Sequence, residues 1–305
     1  MKRTFFYIMM AAALSACGHR ASTADDAAMD SADFVMTELP YTESVDSTTA
    51  KPALTIDTIR IERTDSMAEV ALNIQWPTGG DVALTKSVRQ FIRDVCGIKD
   101  EAFIGTKADW RDVVDTEYNG LVESWNGTYG DSEEGGPSFT STTEVVQLVE
   151  TPKFVTFYGE HSSYTGGAHG MAGHIGRTFR KSDGRAIGYE TDYDEKFNIV
   201  HKGDNLLKDT KSPALYALIK AGVMEYFKAC GQAMADEAEL ADFLQVDDVN
   251  RIPLPANAPY LTKTGVVFCY TQYEIAPYAA GMITFEIPFA KISPFLTDEA
   301  KALIK

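Results

Sequence analysis

Four of the five histidines in this 305-residue chain, His161, His169, His174 and His201, fall within 41 residues, with Asp192 and Asp194 close by. Imidazoles and carboxylates at that density raise the question of a metal, but their intervals reproduce neither the helical nor the knuckle spacings that bind zinc. No metal and no cofactor are expected. Nucleophilic hydrolysis has as little support, because the chain holds no Gly-x-Ser-x-Gly, no His-Glu-x-x-His and no phosphate loop. Ser162 and Ser163 adjoin His161 only along the chain, and adjacency does not set the geometry a general base needs. Glu133 and Glu134 form a carboxylate pair, yet Gly130, Gly135, Gly136 and Pro137 surround them with turn formers, whereas glycoside hydrolysis needs two carboxylates at a fixed separation. No catalytic residue is assigned and the chain is read as non-enzymatic, with an unrecognised cell-wall hydrolase as one alternative.

Two other segments carry the recognition chemistry. Tyr164-Thr165-Gly166-Gly167-Ala168-His169-Gly170 places an imidazole in a glycine-specified turn, where Gly166 and Gly167 permit positive φ and close approach. About a hundred residues later, Tyr273-Glu274-Ile275-Ala276-Pro277-Tyr278-Ala279-Ala280-Gly281 bends into a strand and offers two tyrosines and a carboxylate. The candidate ligand-binding residues are therefore Tyr164, Gly166, Gly167, His169, Tyr273, Glu274 and Tyr278. Each segment also has a purely structural reading: a turn whose histidine bonds to backbone, and a packed aromatic bend with Glu274 satisfied locally. Exposed aromatics would favour recognition.

The N-terminus supplies an address. Lys2 and Arg3 precede an apolar run from Phe5 to Leu14, and Leu14-Ser15-Ala16-Cys17 places small residues ahead of a cysteine. The run is half the length of roughly 20 residues that a spanning helix needs, so residues 1–17 read as a lipoprotein signal with Cys17 as the acylated (palmitate-bearing) residue and the membrane attachment. Residues 18–52 are rich in Ser, Thr, Ala and Asp, a composition that does not offset the entropy of ordering it, and read as a flexible tether. Asp30-Ser31-Ala32 and Asp46-Ser47-Thr48 within it resemble bacterial O-glycosylation acceptors. The chain is thus expected in a bacterial envelope, lipid-anchored and extracytoplasmic, facing the periplasm or the surface; the sequence leaves inner and outer membrane open.

Composition beyond the tether is globular, with 45% hydrophobic and 11% aromatic residues over the whole chain. The net charge of −16 becomes −18 without Lys2 and Arg3, 26 basic against 44 acidic side chains, which argues against a nucleic-acid partner and favours a cationic one. Cys96, Cys230 and Cys269 form an odd set that permits at most one internal bridge or three free thiols.

The elements that must position these residues are legible from periodicity. Leu54 to Ile61 and the alternating Val70, Leu72, Ile74 and Trp76 read as strands. Asp81 caps a helix with Leu84, Val88, Phe91, Ile92 and Val95 on one face, ending at Gly97. Ser212 and Pro213 start a second helix, striped by Leu215, Leu218, Ile219, Val223 and Phe227 and stopped at Gly231. Thr143 to Glu150, Phe154 to Gly159, Ile175 to Lys181, Gly265 to Thr271 and Met282 to Pro288 read as further strands, and Met234 to Leu244 as helix. The expected fold is α+β, largely antiparallel sheets packed on two long amphipathic helices, in two subdomains of related size sharing one body.

The two recognition segments, with the strand between them, the Asp183-Gly184-Arg185 turn and the second helix, resemble the RsiV C-terminal domain, and the preceding pattern is similar to a PdaC-type N-terminal domain. These units occur in lysozyme-sensing anti-sigma factors and beside peptidoglycan deacetylase domains. The resemblance implies a PdaC-type domain over 53–160, an RsiV-like domain over 161–305, and a lysozyme-like protein or peptidoglycan as ligand. A lipobox is read in place of the spanning helix and cytoplasmic segment of the anti-sigma factors, so no sigma factor is expected as partner, and with the sequence ending at Lys305 the deacetylases' catalytic domain is not expected either. A structural or assembly lipoprotein that has lost the ligand is the remaining alternative.

Overall fold

The computed structural model describes residues 52–195, 199–234 and 236–305; the signal, lipobox and tether expected over residues 1–51, with Cys17, lie outside them. The chain enters with two long antiparallel strands, β1 (Thr55–Thr64) and β2 (Ala68–Gly79). On β2 the residues Ala68, Val70, Leu72, Ile74 and Trp76 are all buried, the period-2 signature of a strand with one face covered.

Asp81 then caps α1 (Val82–Val95), its carboxylate accepting from the Leu84 amide at 3.1 Å. A second long helix, α2 (Lys107–Tyr129), follows and is absent from the periodicity reading. Thr106 and Asp109 form a reciprocal capping box at its start, and Trp110, Val114, Tyr118 and Leu121 form its buried stripe. Both helices pack on the same face of the sheet, in one cluster with the β2 stripe and with Val145, Val155 and Phe157. Trp76, Phe103 and Trp110 meet edge to face there.

Because the chain crosses over through two helices, β3 (Phe139–Glu150) returns parallel to β2. All other pairings among the described strands are antiparallel: β3 with β4 (Phe154–Tyr164), β4 with β5 (Met171–Arg180), and β5 with the short β6 (Ala186–Ile187). One six-stranded sheet in the order β1-β2-β3-β4-β5-β6 results, and position 160 lies inside β4. A small hairpin follows, β7 (Glu190–Tyr193) with β8 (Ile199–Lys202).

The remaining chain builds on the sheet's second face. Helix α3 (Pro213–Ala229) buries Leu215, Ile219, Val223 and Phe227; Ser212 stands at its N-cap without a side-chain bond, and Pro213 opens the first turn. Helix α4 (Glu237–Phe243) is shorter than the expected 234–244. A three-stranded sheet of β9 (Tyr260–Leu261), β10 (Gly265–Tyr270) and β11 (Ile283–Pro288) has β10 at its centre. Short helices α5 (Phe289–Ile292) and α6 (Asp298–Ile304) end the chain. These elements share a second apolar cluster.

The seam between the sheets is fixed by hydroxyls. Thr156 donates to the Leu261 carbonyl at 2.8 Å, Thr178 accepts from the Leu261 amide at 2.9 Å, and the two hydroxyls meet at 2.8 Å. All these buried polar atoms are paired, which makes the register across the seam specific. The α+β architecture with mainly antiparallel sheet is as expected from sequence; the third long helix and the parallel pair are additions to it. No helix among the described residues is long and apolar enough to cross a membrane.

Candidate functional site

The two segments singled out in sequence meet in space. The β4–β5 hairpin ends in the loop 165–170, where Gly166 and Gly167 take φ of +90° and +84°. A β-carbon on Gly166 would sit close against the Tyr129 hydroxyl and the Phe139 ring, and the positive φ is what calls for glycine there. Tyr164 donates its hydroxyl to the Gly167 carbonyl at 3.2 Å and braces the loop from its base.

His169, exposed at the turn, lies flat on Tyr278, with ring centroids 3.7 Å apart and planes 18° from parallel. Its Nδ1 sits 3.0 Å from the Gly170 carbonyl and its Nε2 3.2 Å from the Tyr273 hydroxyl. The Tyr273 and Tyr278 rings are 5.7 Å apart. Three rings thus form a surface cluster, with Tyr273 51% exposed and Met171 49% exposed at the start of β5. Tyr273 holds φ at +66°, a left-handed backbone for a bulky residue.

Glu274 behaves differently. One carboxylate oxygen accepts from the Thr271 amide and hydroxyl at 2.8 and 3.0 Å, and the other from the Ala256 amide at 2.6 Å. It latches the loop after β10 to the segment before β9, which is the locally satisfied role. Two residues that sequence reading did not single out complete the scaffold: Gln272 accepts from the Ala172 amide at 3.0 Å and ties the two segments together, and Tyr226 on α3 donates to the Ala280 carbonyl at 2.7 Å. Gln272 stands directly before the second motif and Tyr226 one residue before the buried stripe position Phe227, but neither position advertises a long-range partner.

The four clustered histidines have separate partners. His161 bonds Thr143 at 3.0 Å, His169 bonds Tyr273, His174 bonds Thr284 at 3.2 Å, and His201 stacks on Tyr189 at 3.9 Å. Asp192 is engaged by Lys202. No group of three His, Cys, Asp or Glu among the described residues is arranged to hold a metal. His161 and Ser162 are neighbours on a strand and project to opposite faces, while Glu133 and Glu134 are exposed in the loop after α2.

Below the aromatic cluster the seam carries titratable groups held neutral by burial. Desolvation lowers His174 to about 4 and raises Cys269 to about 12. Neither the imidazolium nor the thiolate that a cysteine nucleophile requires is favoured there. Cys96, Cys230 and Cys269 are all free.

Residues 204–290 match the family described as Protein of unknown function (DUF3298). That region contains Tyr273, Glu274 and Tyr278 and ends before α5 is complete. The fold is similar to the crystal structure of a DUF3298 family member from Bacteroides fragilis NCTC 9343, at 19% identity and a TM-score of 0.62, covering 84% of this chain and 99% of that one. It is also similar to a DUF3298 family protein from Pseudomonas aeruginosa PAO1, at 13% identity and a TM-score of 0.51, covering 81% and 96%. No curated protein matches the chain.

Proposed function

We propose that this DUF3298-domain chain is a non-catalytic recognition protein of the bacterial envelope, lipid-anchored through Cys17, whose His169–Tyr273–Tyr278 cluster docks a cationic protein of the lysozyme class. The observation that carries the reading is the convergence of two segments a hundred residues apart on one exposed aromatic patch. Aromatic side chains presented on a rigid frame are the usual anchors of protein interfaces, because they bury much area for little lost rotamer entropy. Tyr273 held exposed in a left-handed conformation is a cost to folding that recognition would explain.

The excess of acidic side chains supports a basic partner by steering its approach. The likeness of the two motifs to the RsiV C-terminal domain, in a setting similar to a PdaC-type N-terminal domain, supports lysozyme as that partner. Calorimetric titration with a c-type lysozyme is the test. Binding that weakens steeply with salt, and about tenfold or more in His169→Ala or Tyr273→Ala, is the expected outcome; absence of heat at low salt would overturn it. Co-sedimentation with peptidoglycan sacculi, unaffected by salt, would instead assign the patch to glycan. The anchor is tested separately: palmitate labelling in cells should mark the protein and vanish in Cys17→Ser.

A further inference from the structure

A cleft lies on the helix-covered face of the six-stranded sheet. Strand β3 presents Phe139 and Val145 to the helices as buried packing residues, but between them it presents Ser141 and Thr143. Over these two positions α1 has reached its last turn at Val95 and Cys96 while α2 runs past at Val113, Val114 and Glu117, and a cleft of about 250 Å³ remains. His161 of β4 lines the same cleft and bonds Thr143 through Nδ1.

Ser141 is 2% exposed and lines the cleft, so it offers a hydroxyl on the sheet side of the gap. A packing gap between helices and sheet would ordinarily be closed by apolar side chains, whereas here Ser141, Thr143 and His161 line it on the sheet side. The walls on either side are apolar, Leu72 from β2, Val95 from α1 and Val113 from α2. At the mouth stands the exposed carboxylate of Glu117, with no ion pair or hydrogen bond among the described residues. The cleft therefore offers an inner hydroxyl, an apolar belt and an outer negative charge, in that order.

We propose that this cleft binds a small amphipathic amine, with a hydrogen-bonding group at Ser141, an apolar body against Leu72, Val95 and Val113, and its ammonium at Glu117. Burial holds the Cys96 thiol at about 12, so the lining adds no thiolate at neutral pH and Glu117 is the charge that selects a cation. At about 250 Å³ the cleft lies just under the roughly 300–1,000 Å³ of ordinary small-molecule sites, so it takes only a small ligand. An amino-acid amide with an aliphatic side chain has that size and all three features.

L-leucinamide is the probe. Titrated into the protein and followed by amide proton–nitrogen correlation spectra, it should produce saturable shifts at 95–97, 113–117, 141–143 and 161, with a Kd of about 10 mM or tighter, as expected for a ligand of this size. Glu117→Gln and Ser141→Ala should each weaken it by about fivefold, and N-acetyl-leucine, which lacks the ammonium, should leave those resonances unmoved. Glu117 is exposed, so its substitution tests the ligand contact without threatening the fold. Shifts that do not saturate, that fall elsewhere, or that are indifferent to both substitutions would overturn the proposal. Lysozyme binding by the aromatic patch should be unchanged in both variants, so the two sites succeed or fail independently.

Discussion

The imidazole of His169 is clamped between Tyr278, on which it stacks at 3.7 Å, and the Tyr273 hydroxyl, which it meets at 3.2 Å. One side chain therefore fixes two tyrosines that belong to a different loop. His169→Ala should cost only about 1 kcal/mol of stability, since the stack is exposed, while freeing both tyrosines and weakening lysozyme binding about tenfold or more. His169→Phe keeps the stack without the hydrogen bond and should fall between the two. Thermal melts and calorimetric titrations on the three proteins check the ordering.

Tyr273 separates stability from recognition. Its φ of +66° costs about 1 kcal/mol for a residue with a β-carbon, and half of its surface is in solvent. Tyr273→Gly should leave the melting temperature equal or higher, because glycine takes this backbone freely, while binding drops as steeply as in Tyr273→Ala. A melting temperature lowered by several degrees in Tyr273→Gly would mean that the ring is there for packing.

His174 makes acid stability predictable in sign. It is buried at 8% exposure, its Nε2 is 3.2 Å from the Thr284 hydroxyl, and burial lowers its folded value to about 4 from the ordinary 6.5. The unfolded chain then binds more protons than the folded one between those values, so stability is complete above about pH 6.5 and falls as pH drops toward 4. The full loss is about 3 kcal/mol, from 1.36 kcal/mol per unit of displacement. Urea unfolding at pH 7 and pH 4.5 should show about 2 kcal/mol of this loss in the native protein and a flatter pH dependence in His174→Gln. Equal pH dependence in both would place the acid-sensitive group elsewhere.

Why some of this was legible in the sequence follows from where the signal resides. Helices α1 and α3 carry dense apolar stripes with an aspartate cap or a first-turn proline, and β2 alternates cleanly, so local pattern and tertiary role coincide. Helix α2 hides because Asn119-Gly120 and Asn126-Gly127 interrupt it and its stripe is sparse; only the Thr106 and Asp109 capping box announces it. The parallel β2–β3 pairing was hidden with it, since a parallel return requires a crossover that the unread helix supplies. The residue types of the candidate site were readable, but the meeting of His169 with Tyr273 and Tyr278 depends on the seam between two sheets, which no local pattern encodes. The hydroxyl at Ser141 was invisible for the opposite reason: a serine on a strand is ordinary until the helices above it are known to leave a gap.

Glu274 tests whether a motif residue acts on a ligand or on the loop that carries one. Its carboxylate accepts from two backbone amides, Thr271 and Ala256, and from the Thr271 hydroxyl. All of its bonding therefore runs to the protein. Removing it leaves two half-buried amides without an acceptor, and hydrogen bonds to a charged group are worth about 1.5–3 kcal/mol each before relaxation and water recover part of that. Glu274→Ala should destabilise the fold by about 2–4 kcal/mol and loosen the connection between residue 256 and the aromatic loop. Glu274→Gln retains one acceptor oxygen and should lose about half as much. If Glu274 instead contacted the ligand, both variants would lose affinity with the melting temperature unchanged. A melting temperature lowered in the order Gln then Ala, with lysozyme affinity of the still-folded Gln variant within about threefold of the native protein, is the outcome the latch requires, and the two measurements on the same samples decide between them.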